Sequence, residues 1–394
     1  MQPAYNSTNS FATVLSSSSE SSSSSDNSSE HLFKILVTEA EIIAKTEPLL
    51  AQFLKCSIIH PENLSFESVV ARTISTRLVQ SCGPNPVMSV DALTGMFVDT
   101  MKSNELEHGH TMINAIKLDM MAYVKRDPAC ESPLEVLLYF KGFASLVCHR
   151  AANRLWKKNN SDHGSRSSVG SRHVSLWLQS QASAAFGLDI HPGAEIGAGI
   201  MLDHGTGIVI GETATVGDNC TFLHGVTLGG TGKDTGDRHP KVAENVLIGA
   251  GSSILGNIKI GRGSKIGAGS VVLKPIPTGA TAVGAPAKII GFAKESKPGS
   301  SIDNNLDNIV PIGGLDDSDK DTSSTASLDG SFSEGGKEAT RGAISIDSTQ
   351  SSHDDSSPLV DKPNTFCVFR SFCRRDSVPK EIVTYSCLQK ALIS

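Results

Sequence analysis

Aromatic side chains are scarce in this chain of 394 residues: they make up 5%, with two Trp and four Tyr. A core built mainly on ring stacking is excluded, so bulk must come from aliphatic residues. No apolar run approaches the roughly 20 residues of a membrane-spanning helix, so no membrane association is expected. The eight cysteines (Cys56, Cys82, Cys130, Cys148, Cys220, Cys367, Cys373 and Cys387) show no C-x-x-C or zinc-finger spacing. That scatter points to a reduced intracellular protein without a metal site rather than a disulfide framework. Excess positive charge is also lacking. The 35 Lys and Arg against 41 Asp and Glu give a formal charge of −6, and nucleic acid is not an expected partner.

The first thirty residues are Ser-rich and acidic, and the first Lys or Arg is Lys34. A secretory signal needs an apolar core and a transit peptide needs basic residues. Residues 1–30 therefore read as a disordered cytoplasmic head, with a plastid address left open.

What is abundant is a period of six. Counting in sixes from Ile190 gives Ile196, Leu202, Ile208, Ala214, Cys220 and Val226; from Ile248 it gives Ile254, Ile260, Ile266 and Val272. That period fits neither a helix nor a flat half-buried strand. It is the signature of a hexapeptide β-helix, in which three six-residue strands make one triangular coil and each sixth side chain points inward. The period breaks once on this count. From Val226 to Val246 the chain reads VTLGGTGKDTGDRHPKVAENV, and an excursion from about Gly232 to Ala243 leaves the coil and returns. A loop that interrupts a solenoid commonly forms part of its binding face.

Around that coil the chain divides by composition. Residues 31–187 read as an α-helical domain, with helical spacing in Leu50, Phe53, Leu54 and Ile58 and a polar insertion at 159–173. Residues 188–293 form the coil domain. Residues 294–364 are too polar to offset chain entropy and read as a disordered linker, while 365–394 form a basic-aromatic tail.

A β-helix presents few polar groups, so clustered ones stand out. Asp189 and His204 are fifteen residues apart where one coil is eighteen, which places them within about one coil of each other. A carboxylate accepting from one imidazole nitrogen strengthens the other as a base, so the pair reads as base and orienter, with the substrate supplying a hydroxyl.

The order of motifs, DIHPGAEIGAGIMLDHGTGIVIGETATVGDN, then LHGVTLGGTGKDTGDRHPK, then ILGNIKIGRGSKIGAGSVV, closely resembles serine O-acetyltransferase of the hexapeptide-repeat acyltransferase superfamily. RDPAC and LLYFKGF resemble that family's helical domain, and the likeness covers about residues 35–293. It implies an α+β architecture: an N-terminal all-α domain followed by a left-handed parallel β-helix. It also implies transfer of acetyl from acetyl-coenzyme A, as co-substrate, to the hydroxyl of L-serine, giving the O-acetylserine that feeds cysteine synthesis. On the resemblance His204 is the general base and Asp189 its orienter. Arg238 grips the serine carboxylate, Asp127 and Asp203 hold its ammonium, and His239 lines the pocket. Gly230, Thr231, Ala250 and Lys265 fall along the coenzyme A groove. The resemblance further implies trimers joined into a hexamer, with cysteine as an inhibitor in the serine pocket.

The chain departs from the family in its Ser-rich head, the 159–173 insertion and the long acidic linker. Many relatives end in Ile, which plugs O-acetylserine sulfhydrylase; here the end is Ala391-Leu392-Ile393-Ser394, which fits that plug poorly. Three other readings stand beside the acetyltransferase. One is an acyltransferase acting on a sugar or antibiotic hydroxyl, and another is a non-catalytic scaffold. The third is a zinc enzyme using three of His191, His204, His224 and His239.

Overall fold

The computed structural model describes residues 24–82, 88–102, 106, 108–161, 168–302 and 309–311. Eight helices precede the coil among these residues: α1 (Ser24–Thr46), α2 (Pro48–Ser57), α3 (Phe66–Ser81), α4 (Val90–Met101), α5 (Met112–Arg126), α6 (Pro133–Tyr139), α7 (Lys141–Ser161) and α8 (Ser168–Phe186). Their starts are written in the sequence. The side chains of Ser65, Ser89, Thr111 and Ser132 accept the first free backbone N–H groups of α3, α4, α5 and α6. Helical structure begins at Ser24, inside the stretch read as a disordered head. It also continues to Ser161 and resumes at Ser168, so the 159–173 insertion is narrower than its polar composition implies. No helix among the described residues is long and apolar enough to cross a membrane.

Three faces of parallel strands follow, forming the left-handed parallel β-helix. Face 1 stacks β1 (Asp189–Ile190), β4 (Val209–Ile210), β7 (Thr227–Gly229), β10 (Ser253–Leu255) and β13 (Val271–Val272). Face 2 stacks β2 (Glu195–Ile196), β5 (Thr215–Val216), β8 (Lys241–Val242) and β11 (Lys259–Ile260). Face 3 stacks β3 (Met201–Leu202), β6 (Thr221–Phe222), β9 (Leu247–Ile248) and β12 (Lys265–Ile266). It ends in β14 (Ala280–Gly284), β15 (Ala287–Ala293) and β16 (Ile309–Pro311), of which β15 and β16 run antiparallel to their neighbours.

The register corrects the count in sixes. Ile190 pairs with Ile210, Ile196 with Val216 and Leu202 with Phe222, so the first turn takes twenty residues, not eighteen. Two extra residues enter the corner after Leu202, at Asp203–Gly207. Beyond it the stacked strand positions are Ile210, Val216, Phe222 and Leu228. Ile208, Ala214, Cys220 and Val226 are also buried, but two residues ahead of the strand position, where they fill the corners. A full aliphatic side chain buried in this way contributes about 1.5–3 kcal/mol, so both inward rows matter to the stack. The excursion likewise ends sooner than expected, because Lys241 and Val242 already pair with Thr215 and Val216.

The helical domain grips the coil through one face of α5 and through α7. Asp119 and Arg150 of α7 form a buried ion pair of 2.7 Å. Arg150 also donates to the carbonyls of Gly197 (2.7 Å) and Ile196 (3.3 Å), and Asp119 Oδ1 accepts from Ile200 N at 2.9 Å. Burial pushes the Asp119 pKa up, and the Arg150 charge opposes that shift. One turn on, the Tyr123 hydroxyl donates to Leu202 O (3.1 Å) and accepts from Leu202 N (3.0 Å), closing the open edge of β3. Gly142 permits this approach, since a Cβ there would collide with Leu202 O and the Tyr123 hydroxyl.

The stretch after the coil is not uniformly irregular. Residues 294–302 form a strap with a 3-10 turn at Pro298–Ser300, and β16 adds to face 3, although this region was read as linker. The rest of the head, the remaining linker and the basic-aromatic tail, with its Ala391–Ser394 end, lie outside the described residues.

Removing one member of a buried ion pair strands the other, at about 3–5 kcal/mol. Arg150→Met should therefore lower thermal stability by that amount. The Asp119→Asn/Arg150→Met double variant should lose less than the sum of the two single changes, as read by denaturant unfolding.

Candidate active site

The two extra residues of the first turn create the corner that carries the candidate base. His204 adopts φ 53°, followed by Gly205 at φ 64° and Gly207 at φ 73°, a run of left-handed backbone that throws the loop outward. The His204 side chain is 76% exposed, with Nε2 3.8 Å from Asp203 Oδ2. Its ring meets His224, one turn along, at 6.1 Å between centroids. Asp203 is buried; burial raises its pKa, the nearby Asp127 charge raises it further and His204 opposes both. Asp127 ends α5, where its Oδ1 accepts from Ala129 N at 2.9 Å. The edge between faces 3 and 1 therefore gathers His204, His224, Asp203 and Asp127.

Asp189 reaches the same edge through the backbone: Asp189 N donates to Ile208 O, and Gly207 N to Gly187 O, both at 2.9 Å. Its carboxylate, however, takes a hydrogen bond from Gln179 Nε2 of α8 at 2.7 Å. The expected Asp189–His204 hydrogen bond is not formed in this conformation, in which the Asp189 carboxylate is engaged by Gln179 instead. Asp189 and Gln179 line one cavity of about 480 Å³ with Leu176, Ser180, Ser183 and Ala184.

The next edge, between faces 1 and 2, carries the excursion. Arg238 Nη2 pairs with Glu212 at 2.8 Å, and its Nη1 donates to Gly236 O at 3.0 Å. His239 sits in a notch made by Gly211, where a Cβ would run into the imidazole. Thr213 N donates to His239 Nδ1 at 3.1 Å, and the Thr213 hydroxyl accepts from both Arg238 N (3.0 Å) and His239 N (3.1 Å). Since Nδ1 accepts, the ring proton lies on Nε2. Burial, then the Arg238 charge, holds the His239 pKa below the ordinary value, which keeps the ring neutral. Lys241 and Asn257 pin Asp237 at the base of the excursion, at 2.5 and 3.1 Å.

The remaining expected positions separate. Gly230 and Thr231 open the excursion, with the side chain of Arg238 3.5 Å from where a Gly230 Cβ would lie. Ala250 stacks above His224 on the His204 edge, where Gly251 N donates to His224 O at 2.9 Å and Gly269 N to Ala250 O at 2.7 Å. Lys265 joins neither group. It lies on β12 with 0% exposure, its Nζ 3.7 Å from Glu295, so the strap seals it away from any groove. The four histidines that a zinc site would have drawn on are split between edges, His204 and His224 on one, His191 and His239 on the other. Among the described residues no group of three or more His, Cys, Asp or Glu is arranged to hold a metal. Gln179, Gly211, Glu212 and Thr213 were not picked out by the motif; the I-G-E-T run at 210–213 was the signal available for three of them.

Residues 32–148 match the family described as serine acetyltransferase, N-terminal, and residues 239–274 match the bacterial transferase hexapeptide (six repeats). The chain is 42% identical over 280 residues to serine acetyltransferase of Salmonella typhimurium, covering 71% of this chain and 94% of that protein. Among solved structures, soybean serine acetyltransferase complexed with serine superposes with a TM-score of 0.58 at 40% identity, covering 66% of this chain and 97% of that one. Serine acetyltransferase from Brucella abortus in complex with coenzyme A gives 0.59 at 41% identity, with 68% and 98% covered. A helical domain docked on a hexapeptide coil, with an imidazole and paired carboxylates at one corner, defines an acyltransferase of the hexapeptide class. This chain belongs to the serine acetyltransferase family.

Gly211→Ala should evict the His239 ring from its notch. Freed from burial and from Arg238, the imidazolium becomes easier to form, so the His239 pKa should rise towards about 6.5 in an NMR titration. A resonance that titrates as in the parent protein would show the notch to be unnecessary.

Proposed function

We propose that this protein transfers the acetyl group of acetyl-coenzyme A to the hydroxyl of L-serine, giving O-acetyl-L-serine and coenzyme A, the step that commits serine to cysteine biosynthesis. The observation that carries the reading is the widened corner at Asp203–Gly207, which thrusts His204 outward beside a buried carboxylate. Imidazole is the side chain best suited to take a proton near neutral pH.

In the proposed step His204 accepts the serine hydroxyl proton as Oγ bonds to the thioester carbonyl carbon. The tetrahedral adduct collapses with cleavage of the carbon–sulfur bond, and the imidazolium returns the proton to the departing thiolate. Both substrates meet in one site, so no acyl-enzyme is formed. Asp203 and Asp127 supply negative charge for the serine ammonium. Burial raises the Asp203 pKa and the Asp127 carboxylate adds to it, and a bound cation offsets both. Arg238, braced by Glu212, offers its guanidinium to the serine carboxylate, and the Nε2–H of His239 stands beside it. Asp189 orients His204 when the ring turns towards its carboxylate, which Gln179 steadies from the other side. The edge rising from His204 through Gly225, Ala250, Gly251 and Gly269 is stripped of long side chains and suits the pantetheine arm, with Gly230 and Thr231 contributing from the excursion. Lys265, sealed under Glu295, is left out of this groove.

The base lies on one edge of the prism and Arg238 on the next, so a site that uses both calls for a second copy. A three-fold ring, in which the base edge of each chain faces the excursion edge of its neighbour, brings the halves together and closes without a free interface. We extend this to a dimer of trimers through the helical domains, with cysteine, nearly isosteric with serine, competing for the same pocket.

Release of free thiol from acetyl-coenzyme A on addition of L-serine tests the reaction. His204→Ala should lower kcat by about 10²–10⁴-fold. Co-assembly of inactive His204→Ala and Arg238→Ala chains should restore part of the activity, because some interfaces then pair two intact halves. Absence of serine-dependent release overturns the reaction; release without complementation overturns the shared site.

A further inference from the structure

The third edge of the prism, between faces 2 and 3, carries none of the residues assigned so far, yet it is tied to both a helix end and the strap. Arg126, the last residue of α5, donates through Nη1 to Cys220 O (3.2 Å) and to the Thr221 hydroxyl (3.0 Å). The Thr221 hydroxyl has one hydrogen, and it donates that hydrogen to Gly299 O at 2.7 Å. Gly299 belongs to the strap that follows the coil. Pro298 and Gly299 are buried, Gly299 N donates to Asn245 O at 2.9 Å, and a Cβ at Gly299 would come within 3 Å of backbone atoms of Asn219, Asn245 and Val246. Only glycine seats the strap this deeply.

The chemistry of the hydroxyl gives this contact a direction. With its hydrogen committed to Gly299 O, Thr221 turns a lone pair towards the guanidinium, and a chain of polarised hydrogen bonds runs from strap to helix end. The residue fixed at that end is followed at once by Asp127, whose backbone N closes α5 on Tyr123 O at 2.9 Å. We propose that Thr221 and Gly299 are positioning residues. The strap holds Arg126 through Thr221, and so sets where Asp127 stands relative to Asp203 and how well the pair receives the serine ammonium. The proposal rests on the assignment of Asp127 to the ammonium. It gives the region after the coil a part in substrate binding without any contact to substrate, and it confines that part to serine.

The test uses the full chain in four variants. Thr221→Val keeps the shape and loses the hydroxyl, Thr221→Ser keeps the hydroxyl, Gly299→Ala lifts the strap, and Asp127→Asn probes the assignment itself. Loss of a hydrogen bond to a charged group corresponds to about a tenfold change. Thr221→Val and Gly299→Ala should each raise KM for serine by that factor, with kcat and the KM for acetyl-coenzyme A held, and the double variant should be no worse than either single one. Thr221→Ser should match the parent. Gly299→Ala should also open the Lys294–Glu295 peptide bond to trypsin, an independent sign that the strap has lifted. An unchanged serine KM in Thr221→Val, or equal losses for both substrates shared by Thr221→Ser, overturns the positioning role. If Asp127→Asn raises the serine KM and Thr221→Val does not, the strap proposal alone fails. If Asp127→Asn leaves it unchanged, the ammonium assignment fails and takes the proposal with it.

Discussion

Asp119, Tyr123 and Arg126 lie along one face of α5, and between them they engage the backbone of the first two turns of the coil at Ile200, Leu202 and Cys220. A β-helix has an open first turn whose N–H and C=O groups have no coil below them, and burying those groups unpaired would cost roughly 1–3 kcal/mol each. Here α5 and α7 supply the missing partners. The price in desolvation falls on Asp119 and Arg150, which are taken out of water together and are tolerable only because each also bonds to coil backbone. The same contact fixes the end of α5, and with it Asp127, against the corner that holds Asp203.

The three edges of the prism have divided the labour. One carries His204 and the carboxylates, the second carries the excursion with Arg238 and His239, and the third docks α5, α7 and the strap. This division follows from geometry. A regular coil offers six-residue strands whose outward side chains are separated by corners, so anything beyond the period must emerge at a corner. Two residues emerge at His204, and eight more than the period needs emerge between Leu228 and Val242. Those corners lie on neighbouring edges, which is the ground for the proposed assembly of more than one copy around a shared site.

Much of this was legible from the sequence, and the losses have specific causes. The hexapeptide period identified the coil, since aliphatic residues every sixth place have no other economical explanation. The count went astray after Leu202 because the corner residues Ile208, Ala214, Cys220 and Val226 are themselves apolar and keep the rhythm going two places out of step. The pairs Ile210-Gly211 and Val216-Gly217, set beside Ile196-Gly197, carry the true register. The strap was missed for a related reason. Its stretch, KESKPGSS, is as polar as a disordered linker, and its order comes from Pro298 and Gly299 fitting a backbone groove that no composition reveals.

By itself the sequence determined the two architectures and the longer of the two breaks in the coil, and it singled out the polar residues gathered near them, because local periodicity and turn chemistry act over a few residues. Only the tertiary structure decided which of those residues meet. Asp189 turns to Gln179, Lys265 disappears beneath Glu295, and His239 depends on the emptiness of Gly211. Each of these is a contact between segments far apart or out of register in the chain, set by how coils stack and how α5 and α8 lie against them, and spacing along the chain holds no record of it.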